Sequence, residues 1–379
     1  MPTLIGRHLN KGEWAEFYVL LKLLGEGRLY AADEHLRKKP DSYLEVLKII
    51  REEIVGMITE YDRTGGDGLV RILCGGEIVA EVSAADFLAC ADTLFSHLLR
   101  MRARVILAPA SVCRFADVIH VTKPKAPSIR SAGSFGGKSD IVIQLLDGRN
   151  SMVSTMGFSI KSQFASPPTL FNAGTSSQLL FEMRGMDDGR ARKFNSFVDA
   201  GGHRAWADCV AFLKSEGIEP VFVGPASESM ESNLLFIRES MADVLAWMYR
   251  ERLLVDTSCT GIRELCERMA ESNPLGFRIP GLYEKAVKDF LFATFSGMTA
   301  SRPWDGTEQV NGGYIVVLPS GDVLCYHAND REDFRDYLYR NTYLEYVSCT
   351  KYRWGYVEKT AKGYVLPLNA SVRFKKRVE

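Results

Sequence analysis

The stretch Lys138–Gln163, K-S-D-I-V-I-Q-L-L-D-G-R-N-S-M-V-S-T-M-G-F-S-I-K-S-Q, decides how the chain is read. Two short apolar runs, Ile141–Leu146 and Met156–Ile160, flank the turn-rich Asp147-Gly148-Arg149-Asn150. That layout predicts a β-hairpin or two neighbouring strands of one sheet. Asp140 opens the first run, and Ser159, Ile160 and Lys161 close the second. Side chains alternate along a strand, so Ser159 and Lys161 share a face. A carboxylate on one strand and a polar-x-Lys on the next can therefore meet around one hydrated cation.

Immediately upstream, Lys123–Lys138 interleaves Lys123, Lys125, Arg130 and Lys138 with Pro, Gly and Ser, and has neither helical nor strand period. Its donors suit phosphate oxygens, although an ordinary solvated loop has the same composition. Downstream, Ser162–Ser177 is polar and turn-rich. Thr169 and Asn172 in it have the neutral donors and acceptors that base edges need; alternatively they satisfy their own turn backbone.

Nearer the start, Gly12–Leu24 places Trp14, Phe17, Leu20, Leu21 and Leu24 at helical spacing, with Asn10 to cap the helix and Gly25 and Gly27 to end it. Glu13 and Glu16 stand one turn apart near its N-terminus. The helix dipole favours negative charge there, so solvated first-turn carboxylates are one reading and a functional Glu16 is another. Asp41–Tyr61 predicts a second helix. Leu69–Leu73 and Glu77–Val82 predict a hairpin turned at Gly75-Gly76, and Ser83 caps a helix to Arg100. Ala116–Val121 and Gln178–Met183 predict strands, and His203–Glu216, Glu231–Arg252, Ile262–Ser272 and Tyr283–Ser296 predict helices. From about Gly312 the composition shifts to Tyr-rich strand-like pieces, with Lys351, Arg353, Arg373 and a basic tail. These pieces suit a nucleic-acid groove or a sheet whose aromatics pack inward.

The 379 residues exceed the usual size of one domain. The expected division is a mostly helical region at 1–115 that lends one helix to the core, a core with following helices at 116–300, and a β-rich region at 301–379. The charge balance, 47 basic against 47 acidic residues, argues against indiscriminate coating of nucleic acid but leaves room for a local basic face. No signal peptide is visible, and no apolar run approaches the roughly 18 residues that span a membrane. A cytoplasmic protein with no membrane partner is expected. The eight cysteines include no C-x-x-C pair, which points to reduced thiols acting as small apolar residues and not to structural zinc.

Glu16 in an early helix, Asp140, and Ser159-x-Lys161 together resemble the PD-(D/E)xK nuclease pattern. Phosphodiester hydrolysis needs a hard divalent ion held by oxygens, and a lysine near the attacking water to orient it and offset developing charge. The pattern departs at Ser159, where a second carboxylate normally stands. Longer words are more specific. K-G-E-W-A-E-F-Y-V-L-L-K-L-L-G, K-S-D-I-V-I-Q-L, G-F-S-I-K-S-Q…P-T-L-F-N-A, D-F-R-D-Y-L-Y-R-N-T-Y-L-E and L-P-L-N-A-S-V-R-F resemble HpaII-family type II restriction endonucleases at the start, middle and end of the chain.

That resemblance implies an α/β (α+β) fold with a PD-(D/E)xK core, its mixed central sheet flanked by helices, a helical N-terminal part and a β-rich C-terminal part. It implies Mg²⁺-dependent cleavage of double-stranded DNA at a short palindrome such as CCGG, within a restriction-modification system. A palindrome is naturally met by a homodimer. On this reading Asp140, Glu16 and the Ile160 carbonyl hold Mg²⁺, Lys161 serves the attacking water, and Ser159 and Gln163 complete the site. Lys123, Lys125, Arg130, Lys138, Thr169, Asn172, Lys351 and Arg353 are the expected DNA contacts. Two rivals are a non-catalytic, sequence-specific DNA-binding protein with a degenerate nuclease site, and an unrelated α/β protein in which Asp140 and Lys161 pair as ions.

Overall fold

The computed structural model describes residues 4–33, 35–54, 56–125, 139–163, 169–307, 312–327, 331–345 and 354–375. Its contacts divide the chain into two compact units. The first is Met1–Pro168 with Glu308–Tyr337, and the second is Thr169–Thr307 with Leu338–Glu379. The boundaries expected near 115 and 300 fall inside these units.

Among the described residues of the first unit, nine strands form one sheet. Their spatial order is Arg28–Ala32, Val323–His327, Gly313–Val317, Met152–Ser162, Ile141–Asp147, Lys38–Ile54, Met57–Asp62, Leu69–Cys74 and Glu77–Ser83. The sheet is mixed: Gly313–Val317 runs parallel to Met152–Ser162, whereas the predicted hairpin pairs antiparallel from Ile141 opposite Phe158 to Asp147 opposite Met152. Arg28–Ala32 also pairs with Lys38–Ile54, so six of the strands close on themselves.

Two helical layers cover the sheet. The helix Lys11–Glu26 begins with a capping box: Glu13 N–H donates to Asn10 Oδ1 at 2.9 Å, and Asn10 N–H to Glu13 Oε2 at 3.0 Å. It buries Trp14, Phe17, Leu20, Leu21 and Leu24 in a core shared with Phe87 and Leu94 of the helix Ala84–Arg100, and with Ile49, Ile143, Phe158, Ile160 and Ile315 of the sheet. Neighbouring strand residues point to opposite faces. Tyr314, next to Ile315, accordingly stacks on the far side against Phe334 of the helix Arg331–Asn341, with ring centroids 5.4 Å apart.

The predicted helix over Asp41–Tyr61 is instead two antiparallel strands, Lys38–Ile54 and Met57–Asp62. Leu44 and Val46 face the core with strand period, then the register shifts between Val46 and Lys48 and the buried set resumes at Ile49 and Arg51. A bulge inserts one residue, which turns a period of two into helix-like spacing at this one place. The N-terminal part is therefore as much sheet as helix. Ala116–Val121 is not a strand either; its first residues end the helix Ala110–Val118, which buries Val112, Cys113 and Ala116 on one side. The expected long helix Glu231–Arg252 breaks into Glu228–Ile237 and Met241–Arg250, because Arg238 is extended (φ −170°).

In the second unit, Gln178–Arg184 lies between Glu219–Pro225 and Gly363–Asn369, with Glu358–Thr360 outermost. A smaller sheet joins Thr169–Phe171, Val372–Phe374 and Thr342–Leu344. The C-terminal strands thus complete sheets begun near residue 170. The helices Gly202–Ser215 and Met241–Arg250 supply buried anchors whose polar tips are satisfied. Trp206 Nε1 donates to the Leu253 carbonyl at 2.6 Å, and the Tyr249 hydroxyl donates to the Ser371 carbonyl at 2.8 Å. Among the described residues no helix is long and apolar enough to cross a membrane.

Gly27 ends the first helix in the left-handed region at φ 72°, and a Cβ there would stand 2.5 Å from the Arg63 guanidinium, which donates to the Leu24 carbonyl. Gly27→Ala should therefore cost about 1–2 kcal/mol in chemical denaturation. An unchanged unfolding midpoint would contradict this account of the helix end.

Candidate active site

The hairpin strands are unequal. Met152–Ser162 pairs with Ile141–Asp147 only as far as Phe158, yet on its other edge it pairs with Gly313–Val317 through Ser162. Beyond Phe158 the first edge has no strand partner among the described residues, and Asp140 takes that place. Its N–H donates to the Phe158 carbonyl at 2.8 Å. Its Oδ2 accepts the Ile160 N–H at 2.8 Å and the Ser159 hydroxyl at 3.1 Å. The N–H and C=O of one strand residue point to the same edge. The Ile160 carbonyl thus faces the side on which Asp140 lies.

Ser159 is buried, and Lys161 follows on the same face, half-buried. Among the described residues Lys161 makes no ion pair or hydrogen bond through its ammonium. Its charge acts on Glu16.

Glu16 arrives from the helix that covers the opposite face and packs on Met152–Ser162. It is half-buried, and its Oε2 is enclosed without a hydrogen-bond partner among the described residues. Burial pushes its carboxyl up to about 8, and the Asp140 charge pushes the same way; Lys125, Arg51 and Lys161 oppose the rise. Asp140 and Lys161 are therefore within electrostatic reach of Glu16, more than a hundred residues away in sequence.

Two carboxylates that repel each other, one of them with an unpartnered oxygen, form a donor set suited to a cation. Mg²⁺ takes one or two carboxylates and keeps several waters, and the Ile160 carbonyl adds a further hard oxygen. No group of three His, Cys, Asp or Glu able to hold a metal occurs among the described residues. The fitting set is thus two carboxylates and a carbonyl, and no cluster of acids. Gln163 Oε1 and Ser139 Oγ, at the two ends of this short stretch of sheet, are likewise enclosed without partners.

Of the other expected site residues, Lys123 and Lys125 are exposed in the first unit, while Arg130, Lys138, Lys351 and Arg353 lie outside the described residues. Thr169 and Asn172 belong to the second unit. The Thr169 hydroxyl accepts from Arg373 Nε at 3.2 Å, and Arg373 also pairs with Glu345 at 2.9 Å; Asn172 is exposed. Sequence reasoning missed Arg51, whose charge acts on Glu16, together with its partner Glu53. Both sit in the segment expected to be helical. The alternation Leu44-Glu45-Val46 was the available signal of a strand there.

Residues 10–374 match the sequence profile of the family described as HpaII restriction endonuclease. The chain is 28% identical over 368 residues to the type II restriction enzyme HpaII of Haemophilus parainfluenzae, covering 96% of this chain and 98% of that protein. No solved structure matches it.

The raised Glu16 carboxyl has a pH signature in the metal-free chain. Between about 4.5, its ordinary value, and about 8 the folded chain holds a proton that the unfolded chain has released, so this group's contribution to stability falls as pH rises through that window. Glu16→Gln in EDTA should therefore melt above the parent at about pH 9, and the gap should narrow towards about pH 5. A gap that does not change across a series of thermal melts would remove Glu16 from the charged cluster.

Proposed function

The chain belongs to the HpaII restriction endonuclease family, and we propose that it is a type II restriction endonuclease that hydrolyses double-stranded DNA. The expected target is a short palindrome, CCGG, within a restriction-modification system of the cytoplasm. The observation that carries the reading is the meeting of Glu16, Asp140 and the otherwise unengaged Lys161 at the end of the outrunning strand. This arrangement supports a PD-(D/E)xK centre in which Glu16 from the first helix stands in for the acid that Ser159 replaces.

Glu16, Asp140 and the Ile160 carbonyl would hold Mg²⁺, which when bound supplies Lewis acidity toward the phosphate and offsets the two carboxylate charges. Everything else falls to the chain. The Ile160 N–H and the Ser159 hydroxyl fix one oxygen of Asp140, so Ser159 orients the ligand and does not replace it. Lys161 presents an ammonium to the attacking water and to the charge that accumulates at phosphorus. Gln163, whose amide oxygen has no partner among the described residues, accepts a hydrogen bond from a water there, or donates its amide N–H to a phosphate oxygen. Lys123, Lys125, Arg130 and Lys138 grip the DNA backbone, while Thr169, Asn172, Lys351 and Arg353 complete the contacts. A homodimer would match the two-fold symmetry of the palindrome.

Incubating DNA of known sequence with the chain, in Mg²⁺ and in EDTA, and mapping the ends tests the reading directly. Discrete fragments cut at one sequence should appear only with the metal. Asp140→Ala and Lys161→Ala should each slow cleavage by about 100-fold or more while DNA binding persists. Variants that cut as fast as the parent, or a parent that binds DNA and never cuts it, would sink the proposal.

A further inference from the structure

The sheet contains a buried ion pair that the proposed reaction does not use. Arg51 and Glu53 stand two residues apart on the same face of Lys38–Ile54, with side chains 2% and 4% exposed. Ile50 lies opposite Val142, so this end of the strand runs beside the approach to Asp140. Arg51 Nε donates to Glu53 Oε1 at 2.5 Å, and Arg51 Nη2 donates to the Lys123 carbonyl at 2.6 Å. The other oxygen of Glu53 accepts both the Thr122 N–H, at 2.9 Å, and the Thr122 hydroxyl, at 2.6 Å. Just upstream, the Tyr61 hydroxyl donates to the Ile119 carbonyl at 3.0 Å. The whole passage from the helix Ala110–Val118 to Lys123 is thus fastened to the sheet from below. Two residues further on comes Lys125, exposed, whose charge acts on Glu16 as the Arg51 charge does.

Burying two charges is costly, and a well-packed apolar pair of the same size often serves stability as well or better. An apolar pair could not hold a carbonyl, an N–H and a hydroxyl of a crossing segment at fixed points. The retained chemistry therefore points to position. We propose that Arg51 and Glu53 are positioning residues that lock Thr122–Lys123 onto the sheet, so that the Lys125 ammonium is held beside the Glu16–Asp140 carboxylates and engages the DNA phosphate cut there. This rests on the nuclease reading.

Replacing one partner alone would strand the other charge, so the pair is exchanged together as Arg51→Met/Glu53→Met. The double variant should fold, melt close to the parent and cleave about 10- to 100-fold more slowly at saturating DNA. The decisive readout is a cycle with Lys125→Ala. In the parent that change should slow cleavage about tenfold and lower the salt dependence of DNA binding by about one phosphate contact; in the double variant it should add almost nothing to either. Equal effects of Lys125→Ala in both backgrounds, or full cleavage by the double variant, would overturn the proposal. Should the double variant not fold, Thr122→Val, which removes one of the four bonds and leaves both charges paired, enters the same cycle with the same deciding outcomes. A parent that never cuts with Mg²⁺ fails the nuclease reading instead, and the salt-dependence arm then judges the positioning pair alone.

Discussion

A strand that outruns its neighbour leaves backbone groups in want of partners, and the candidate site grows from that mismatch. Past Phe158 the ladder on one edge of Met152–Ser162 has no strand to continue it among the described residues. Burying an unpaired N–H is expensive, so the chain meets the need with a side chain, Oδ2 of Asp140 on the N–H of Ile160. One bond then does two things. It ends the hairpin cleanly, and it pins a carboxylate next to a backbone carbonyl with a definite direction. Ser159, where the PD-(D/E)xK pattern would have an acid, adds a second donor to the same oxygen. What looks like a defect in the motif is, in three dimensions, a support for the remaining acid.

The second constraint is electrostatic. The first helix is buried along most of its surface, and Glu16 is a half-buried acid on it. The Asp140 charge acts on it, and one of its oxygens has no hydrogen-bond partner among the described residues. A carboxyl pushed up by burial weakens the fold where it is charged, and a cation that bound only the folded chain would offset that cost. The site therefore violates the local rule of paired buried charge where binding would repay it. Lys161, which makes no ion pair among the described residues and whose charge opposes the rise of the Glu16 carboxyl, fits the same logic.

Much of this was legible in the sequence, for identifiable reasons. The hairpin could be read because a turn-forming tetrad separates two apolar runs, and the first helix because its cap, its period and its terminal glycines agree. Asp140, Ser159 and Lys161 follow from strand alternation once the hairpin is accepted. Glu16 could be nominated only by resemblance, since a glutamate near the start of a helix is ordinary; its electrostatic reach to Asp140 is a tertiary fact. Lys38–Ile54 was not legible as a strand, because its bulge near Leu47 breaks the period of two. With that strand went Arg51 and Glu53. By its contacts, Glu308–Tyr337 returns to the first unit after most of the second has been laid down.

That return has a consequence for how the chain is made. Gly313–Val317 is the parallel partner that supports Ser159 to Ser162 on their remaining edge, and it is translated some 150 residues after them. Until it leaves the ribosome, the stretch bearing Lys161 is an open edge with no neighbour on either side. A nascent chain can lay down both hairpin strands and the first helix early, yet the candidate site stays incomplete until synthesis is nearly over. For a protein whose proposed substrate is double-stranded DNA, delayed assembly of this kind confines the complete candidate site to finished molecules.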